Sequence, residues 1–238
     1  MPTKTILLDI EGTTTPVEFV TEVLFPYARQ RIEPFLREHS ADADVRADLE
    51  ALQREHAQDA AQGLAPPPWP EPSMAAATRY VHWLMDRDRK STSLKSLQGK
   101  IWEAGYRAGE LRGQVYDDVP RAIERWRWQG REVAIFSSGS VLAQRLLLKT
   151  TAAGDLTRFI CGYFDTTTGP KREPESYRRI AQAVGAEPSV MLFISDTVPE
   201  ADAARSAGVD TLLCVRGARS PSEPHGHAAI RSFDEVFP

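Results

Sequence analysis

Cysteine is scarce in this chain: its 238 residues include two, Cys161 and Cys214. Both lie in short apolar runs, so the expectation is two buried, reduced thiols and no disulfide. No long uncharged apolar run occurs, which argues against a helical membrane span. Positive charge is not in excess. The formal net charge is −4, and the clustered basic footprint of a nucleic-acid binder is missing. The opening Met1-Pro2-Thr3-Lys4 lacks a signal-peptide pattern, because the apolar stretch behind it is short and meets Asp9. No histidine–cysteine cluster has zinc-ligand spacing. His225-Gly226-His227 lies in a polar, proline-rich stretch and reads as a surface loop. These absences point to a cytoplasmic globular protein with no membrane or nucleic-acid partner. Hydrophobic residues at 42 % and charged residues at 26 % are ordinary for that class. The length suits one large domain, or a core with a smaller insertion.

What is present is a series of short apolar runs rich in β-branched and aromatic residues. Thr5–Leu8, Glu132–Phe136, 159–164, 190–194 and 211–215 fit buried strands. Helical patterns at 120–129, Val141–Lys149, Pro174–Val184 and 199–207 lie between most of them. Three of these close on a glycine before the next strand: Gly130, Gly185 and Gly208. Asp118 and Glu173, each followed closely by proline, read as helix starts. Strand and helix in alternation predict right-handed crossovers and a parallel sheet, hence an α/β fold.

The segment 17–111 breaks this pattern. It contains no convincing strand, and helical stretches cover 20–38, 43–62, 74–88 and 94–108. The tract Ala65-Pro66-Pro67-Pro68-Trp69-Pro70-Glu71-Pro72 is too proline-dense for a helix interior and reads as an extended connector between two helices. The expected organisation is a discontinuous α/β core, 1–16 and 112–238, with an all-helical domain inserted over 17–111. An insertion just past the first strand belongs over the end of the sheet where Asp9 lies, the place for a lid.

Chemistry-bearing residues recur just past the expected strands. Asp9 and Glu11 follow the first, and Ser137-Ser138-Gly139-Ser140 follow the second. Lys171 lies in the turn after 159–164, and Asp196 follows 190–194 with Glu200 and Asp202 close behind. Each has a plain alternative: Asp9 starting a turn, Ser140 or Asp196 capping a helix, Lys171 solvated in a loop. Together they surround the crevice at which open parallel sheets bind ligands. Two carboxylates, Asp9 and Asp196, with waters and phosphate oxygens suit magnesium. A carboxylate such as Asp9 also serves as a nucleophile toward phosphorus. The cation and Lys171 would offset the repulsion between carboxylate and phosphate. Ser137, Ser138 and Gly139, ahead of a helix N-terminus, would grip the phosphate. Glu11 would give a proton to the leaving oxygen and then activate water.

These four stretches, Asp9-Ile10-Glu11-Gly12-Thr13-Thr14, Ser137-Ser138-Gly139-Ser140, Lys171 and Ser195-Asp196-Thr197 with Glu200, resemble in order and context the motifs of the haloacid dehalogenase superfamily. Within it the chain resembles the enolase-phosphatases. Glu11 stands where most phosphatases of the superfamily have Asp. The stretches 97–106, 116–120, 136–144, 154–156 and 169–177 are also typical of that group, and Pro170 is a minor departure. The resemblance implies a Rossmann-like parallel core with a helical cap, and one magnesium ion per monomeric subunit. It implies enolisation and then dephosphorylation of 2,3-diketo-5-methylthiopentyl-1-phosphate in methionine salvage. Asp9, Glu11 and Lys171 would be catalytic, and Ser137, Ser138, Gly139 and Lys171 would bind phosphate. Asp9, Asp196 and Glu11, the last by side chain or main chain, would hold the metal. Trp102, Glu103 and Tyr106 are cap candidates for the methylthio end. The superfamily alone leaves open a phosphatase or phosphomutase acting on another small phosphorylated metabolite.

Overall fold

The computed structural model describes residues 3–70, 73–89, 91–217 and 226–238. Met1-Pro2, Glu71-Pro72 of the proline tract and His225 lie outside them. Six strands, β1 (Thr5–Leu8), β2 (Glu132–Phe136), β3 (Ile160–Phe164), β4 (Met191–Ser195), β5 (Asp210–Cys214) and β6 (Ala228–Ile230), form one sheet in the order β3-β2-β1-β4-β5-β6. Every pairing is parallel. Chain contacts divide the molecule into two compact units, 1–20 with 112–238, and 21–111.

The unit 21–111 is helical: α1 (Phe25–His39), α2 (Ala43–Ala61), α3 (Met74–Met85) and α4 (Thr92–Arg107). A π-helical turn, Phe19–Leu24, leads into α1. The side chains of Ser73 and Ser91 cap α3 and α4 by accepting from Ala76 and Leu94 N–H. Buried Asp59 accepts from Tyr80 Oη at 2.8 Å and pairs with Arg89 at 2.8 Å, so its charge is compensated. Trp69 of the proline tract packs against His56 and Tyr80, and His56 Nε2 lies 2.8 Å from the Pro67 carbonyl. The described part of the tract is therefore anchored to the helices it connects.

In the sheet unit, α5 (Asp118–Trp128), α6 (Val141–Lys149), α7 (Pro174–Val184) and α8 (Val198–Ser206) alternate with the strands. Leu7, Phe136, Met191 and Phe193 pack with Tyr177 and Ile180 of α7 and with Ala203 and Ala204 of α8. Trp126 of α5 packs at a tilt against Phe233 and donates its indole N–H to the Val236 carbonyl. Burying one such large side chain contributes about 1.5–3 kcal/mol.

Two expectations are corrected. Cys161 is exposed, because β3 is an edge strand and its outer face meets solvent; Cys214 is buried as expected. His227 is buried beside β6, its ring bridging Thr211 Oγ1 at 2.7 Å and Asp202 Oδ1 at 3.0 Å. The polarity of the stretch suggested a surface loop, but the ring is buried because both nitrogens find partners. No described helix is long and apolar enough to cross a membrane.

Candidate active site

The site follows from register. Leu8 pairs with Ile135 on one side and Ile194 on the other, so the three central strands end level with one another. Asp9, Ser137 and Ser195-Asp196 therefore emerge along one edge, at the carboxyl ends of the strands. Asp9 N–H still donates to the Ile194 carbonyl at 3.0 Å, which keeps this residue in the sheet frame while its side chain enters the crevice.

The Asp9 carboxylate is buried and bonded at both oxygens. Its Oδ1 accepts from Lys171 Nζ at 2.6 Å and from Ile10 N–H at 2.7 Å. Its Oδ2 lies 3.1 Å from Ser195 Oγ. Lys171 arrives from the turn between β3 and α7 and places the same ammonium 2.5 Å from Glu200 Oε2. Burial alone would lower the lysine pKa. The charges of Asp9 and Glu200, and the hydrogen bonds to them, outweigh it and leave the ammonium above its ordinary value. Ser195 Oγ also lies 3.1 Å from Glu200 Oε2 and accepts from Thr197 N–H at 3.1 Å.

Asp196 stands more exposed at the rim. Desolvation by its neighbours, and then the charge of Asp9, holds its carboxyl above the usual range. Glu200 is raised for the same two reasons. Gly12 explains how Asp196 comes so close to the first turn. Its φ is +74°, and a Cβ there would collide with the Asp196 carboxylate. Asp9, Asp196 and Glu200 thus set three negative charges against the one positive charge of Lys171. A centre with that imbalance fits a divalent cation. Among the described residues no three His, Cys, Asp or Glu side chains form a metal cluster. The side chains offer the two carboxylates Asp9 and Asp196, and hard oxygen donors of this kind, completed by water and phosphate oxygens, suit magnesium and not zinc.

Opposite, the turn after β2 is tied back to the frame. Ser137 N–H donates to the Phe164 carbonyl, and Gly139 N–H donates to Ser137 Oγ, each at 3.1 Å. Ser140 caps α6, its Oγ accepting from Ala143 N–H. Its simpler alternative thus describes its contact. Gln144, buried on α6, donates its amide to the carbonyls of Gly139 and Phe164, both at 2.8 Å, and fixes the turn's outlet. Ser138 and Gly139 are half-buried, as is Glu11, which bridges to Thr15. Register and contacts bring Asp9, Ser137, Lys171 and Asp196 to this edge, with Glu11, Ser138 and Gly139 on its turns. Sequence reasoning gave no role to Gln144 or Tyr177. Their signals were weak: a polar residue on an apolar helix face, and a tyrosine inside an otherwise aliphatic stripe.

The family model described as haloacid dehalogenase-like hydrolase matches residues 3–208. An enolase-phosphatase E1 from Synechococcus elongatus is 53 % identical over 232 residues, covering 98 % of this chain and 97 % of its own. This chain belongs to the haloacid dehalogenase-like hydrolases, in their enolase-phosphatase family. An enolase-phosphatase E1 from Pseudomonas fluorescens is 44 % identical over 238 residues, with 100 % and 99 % of the two chains covered. The crystal structure of the UTR4 protein from Saccharomyces cerevisiae superposes with a TM-score of 0.80 at 33 % identity, over 98 % of this chain and 100 % of that one. The likeness to these proteins covers at least 98 % of this chain, and the superposition shows that it shares its fold with the yeast protein. The expected α/β core of haloacid dehalogenase type is the architecture found.

Proposed function

We propose that this enolase-phosphatase converts 2,3-diketo-5-methylthiopentyl-1-phosphate into the acireductone 1,2-dihydroxy-3-keto-5-methylthiopentene and inorganic phosphate, as its step in methionine salvage. The observation that carries the reading is the buried Asp9 carboxylate, with Lys171 on one oxygen and Ser195 on the other. An acid so placed is held in one orientation, as a nucleophile must be.

The substrate is first enolised, a proton passing from carbon to oxygen of the dicarbonyl. Asp9 then attacks phosphorus. The bond from phosphorus to the substrate oxygen breaks, and that oxygen takes a proton from Glu11. Glu11, now a carboxylate, takes a proton from water as the water attacks the aspartyl-phosphate. Phosphate leaves and Asp9 is restored. Lys171, Ser137 and Ser138 hold the phosphoryl oxygens and stabilise the charge that builds on them, joined by the Gly139 N–H once it turns from Ser137 Oγ to the incoming phosphate. One magnesium ion per subunit, held by Asp9 and Asp196 with Glu11 through side chain or main chain, would supply neutralising charge for the phosphate and polarise the substrate's oxygens. The helical unit 21–111 serves as the cap that shapes specificity. The protein works as a cytoplasmic monomer on a small phosphorylated substrate.

The test is the product formed from the diketone phosphate, followed by mass and ultraviolet absorbance. Acireductone and phosphate are expected in equal amounts, and Asp9→Asn should lower turnover by at least about 10⁴-fold while keeping the fold. Rapid hydrolysis of unrelated sugar phosphates with the diketone left intact would assign a different substrate. Unchanged turnover in Asp9→Asn would remove the nucleophile.

A further inference from the structure

We propose that Arg216 is a positioning residue for the reacting carboxylates, holding the turn that carries Asp9 and Glu11. It stands two residues past β5, on the same edge of the sheet as the site. The inference rests on the function proposed for Asp9 and Glu11.

The turn after β1 is wound on a single carbonyl. Ile10 O accepts from the N–H groups of Thr13, Thr14 and Thr15, and Thr14 Oγ1 donates to the Asp9 carbonyl. Thr13, Thr14 and Thr15 are fully buried. Two of its carbonyls are held from elsewhere. Thr14 O accepts from Tyr116 N–H, a backbone contact. Thr13 O accepts from Arg216 twice, from Nε at 3.1 Å and Nη2 at 2.9 Å. The third guanidinium nitrogen, Nη1, reaches Asp118 Oδ2 at 2.7 Å and the Arg231 carbonyl at 3.3 Å. Asp118 is anchored in turn by Ser232 Oγ and Phe233 N–H. The guanidinium carbon lies 4.3 Å from the Tyr116 ring centre and 4.7 Å from that of Phe233.

A guanidinium and a carboxylate that are 10 % and 7 % exposed cost much of their attraction in desolvation. Net stability is therefore a weak reason for the pair. Direction is a better one. Arginine is planar, and its hydrogen bonds and ring contacts here leave it little freedom to rotate. The carbonyl it grips belongs to Thr13, the residue after Gly12, whose positive φ makes it the pivot between Thr13 and Glu11. Displacing reacting groups by about 1 Å can cost on the order of a hundredfold in rate. Lysine would keep the charge beside Asp118 but could not fork onto Thr13 O at the same time.

The test compares full-length wild type, Arg216→Lys, Arg216→Ala and Asp9→Asn on the diketone phosphate, with folding checked by circular dichroism. Both Arg216 variants should lose about tenfold to a hundredfold in kcat with KM within about twofold of wild type, because phosphate is gripped by other residues. Methylguanidine at millimolar concentration should restore part of the kcat of Arg216→Ala. If Arg216→Ala does not fold, Arg216→Lys decides. A kcat within about twofold of wild type in the folded variants, or a loss confined to KM, would overturn the assignment. An inactive Asp9→Asn beside fully active Arg216 variants would remove only the role of Arg216. An active Asp9→Asn would remove the proposed function, and this inference with it.

Discussion

Tyr177 holds the turn that presents Lys171: its phenol Oη lies 2.7 Å from the Lys171 carbonyl. The same oxygen is 3.1 Å from the Glu200 carbonyl, so one hydroxyl links the turn after β3 with α8. Burial, and then the charges of Glu200 and Asp9, push the phenol above its usual pKa and keep it a neutral donor. Its ring meets Phe136 and Phe193 edge-on, at centroid distances of 5.6 and 5.1 Å. Tyr177→Phe keeps that packing and deletes only the hydroxyl. The expected cost is about 1–2 kcal/mol of stability, read from urea unfolding at neutral pH. An unchanged midpoint and slope would mean that the link bears no load.

Lys171→Ala removes the single ammonium from a cluster of three carboxylates. Transition-state stabilisation should fall by about 2–4 kcal/mol, measured as kcat/KM on protein shown to be folded. Lys171→Arg should not recover it, because a flat fork does not fit the space of a compact ammonium between Asp9 and Glu200. A loss below about tenfold would place the ammonium outside the reacting complex.

Removing divalent cations with a chelator should abolish phosphate release, and magnesium should restore it. The reasoning is the charge imbalance around Asp9, which an incoming phosphate would worsen. Turnover persisting in rigorously metal-free buffer would refute the metal role of Asp9 and Asp196.

Asp234 supplies a dependence on pH. Its hydrogen bond with Arg121, and then the Arg121 charge and a bond from Ser232, hold its carboxyl down at about 2, against 3.8 in the ordinary case. A depressed folded pKa gives stability that is present above the unfolded value and lost as pH falls. The window is therefore roughly pH 4 down to 2. Asp234→Asn should flatten the pH dependence of unfolding in that window and leave its shape above pH 5 unchanged. Identical acid unfolding profiles for the two proteins would count against the contact.

Much of the sheet unit was legible because its signals are local. Val141–Lys149 and Pro174–Val184 are helices over the residues that their patterns marked, since a serine cap and a first-turn proline fix where each starts. Helix α5 begins at Asp118, the residue read as its start, although the apolar pattern itself opened only at 120, because proline fits a first turn. Strand β3 begins one residue later, since Thr157–Phe159 form a 3₁₀ turn. What local signals do not carry is strand order. An apolar run at the edge of a sheet looks like one at its centre, so Cys161 was misjudged. The bonds from His227 to Thr211 and Asp202, and from Arg216 to Thr13 and Asp118, span 16 to 203 positions of sequence. No periodicity records such pairs. The π-helical turn at Phe19–Leu24 was covered by the helical stretch read over 20–38, but nothing in the pattern set it apart from an α-helix.

Leu8, Phe136 and Ser195 have no exposed surface, and they end three neighbouring strands of one ladder. Amide hydrogens beneath the reacting edge should accordingly be among the slowest to exchange with deuterated solvent, released when this unit melts as a whole. Heat inactivation should then coincide with the main melting transition, without an earlier phase in which a folded but damaged catalyst accumulates.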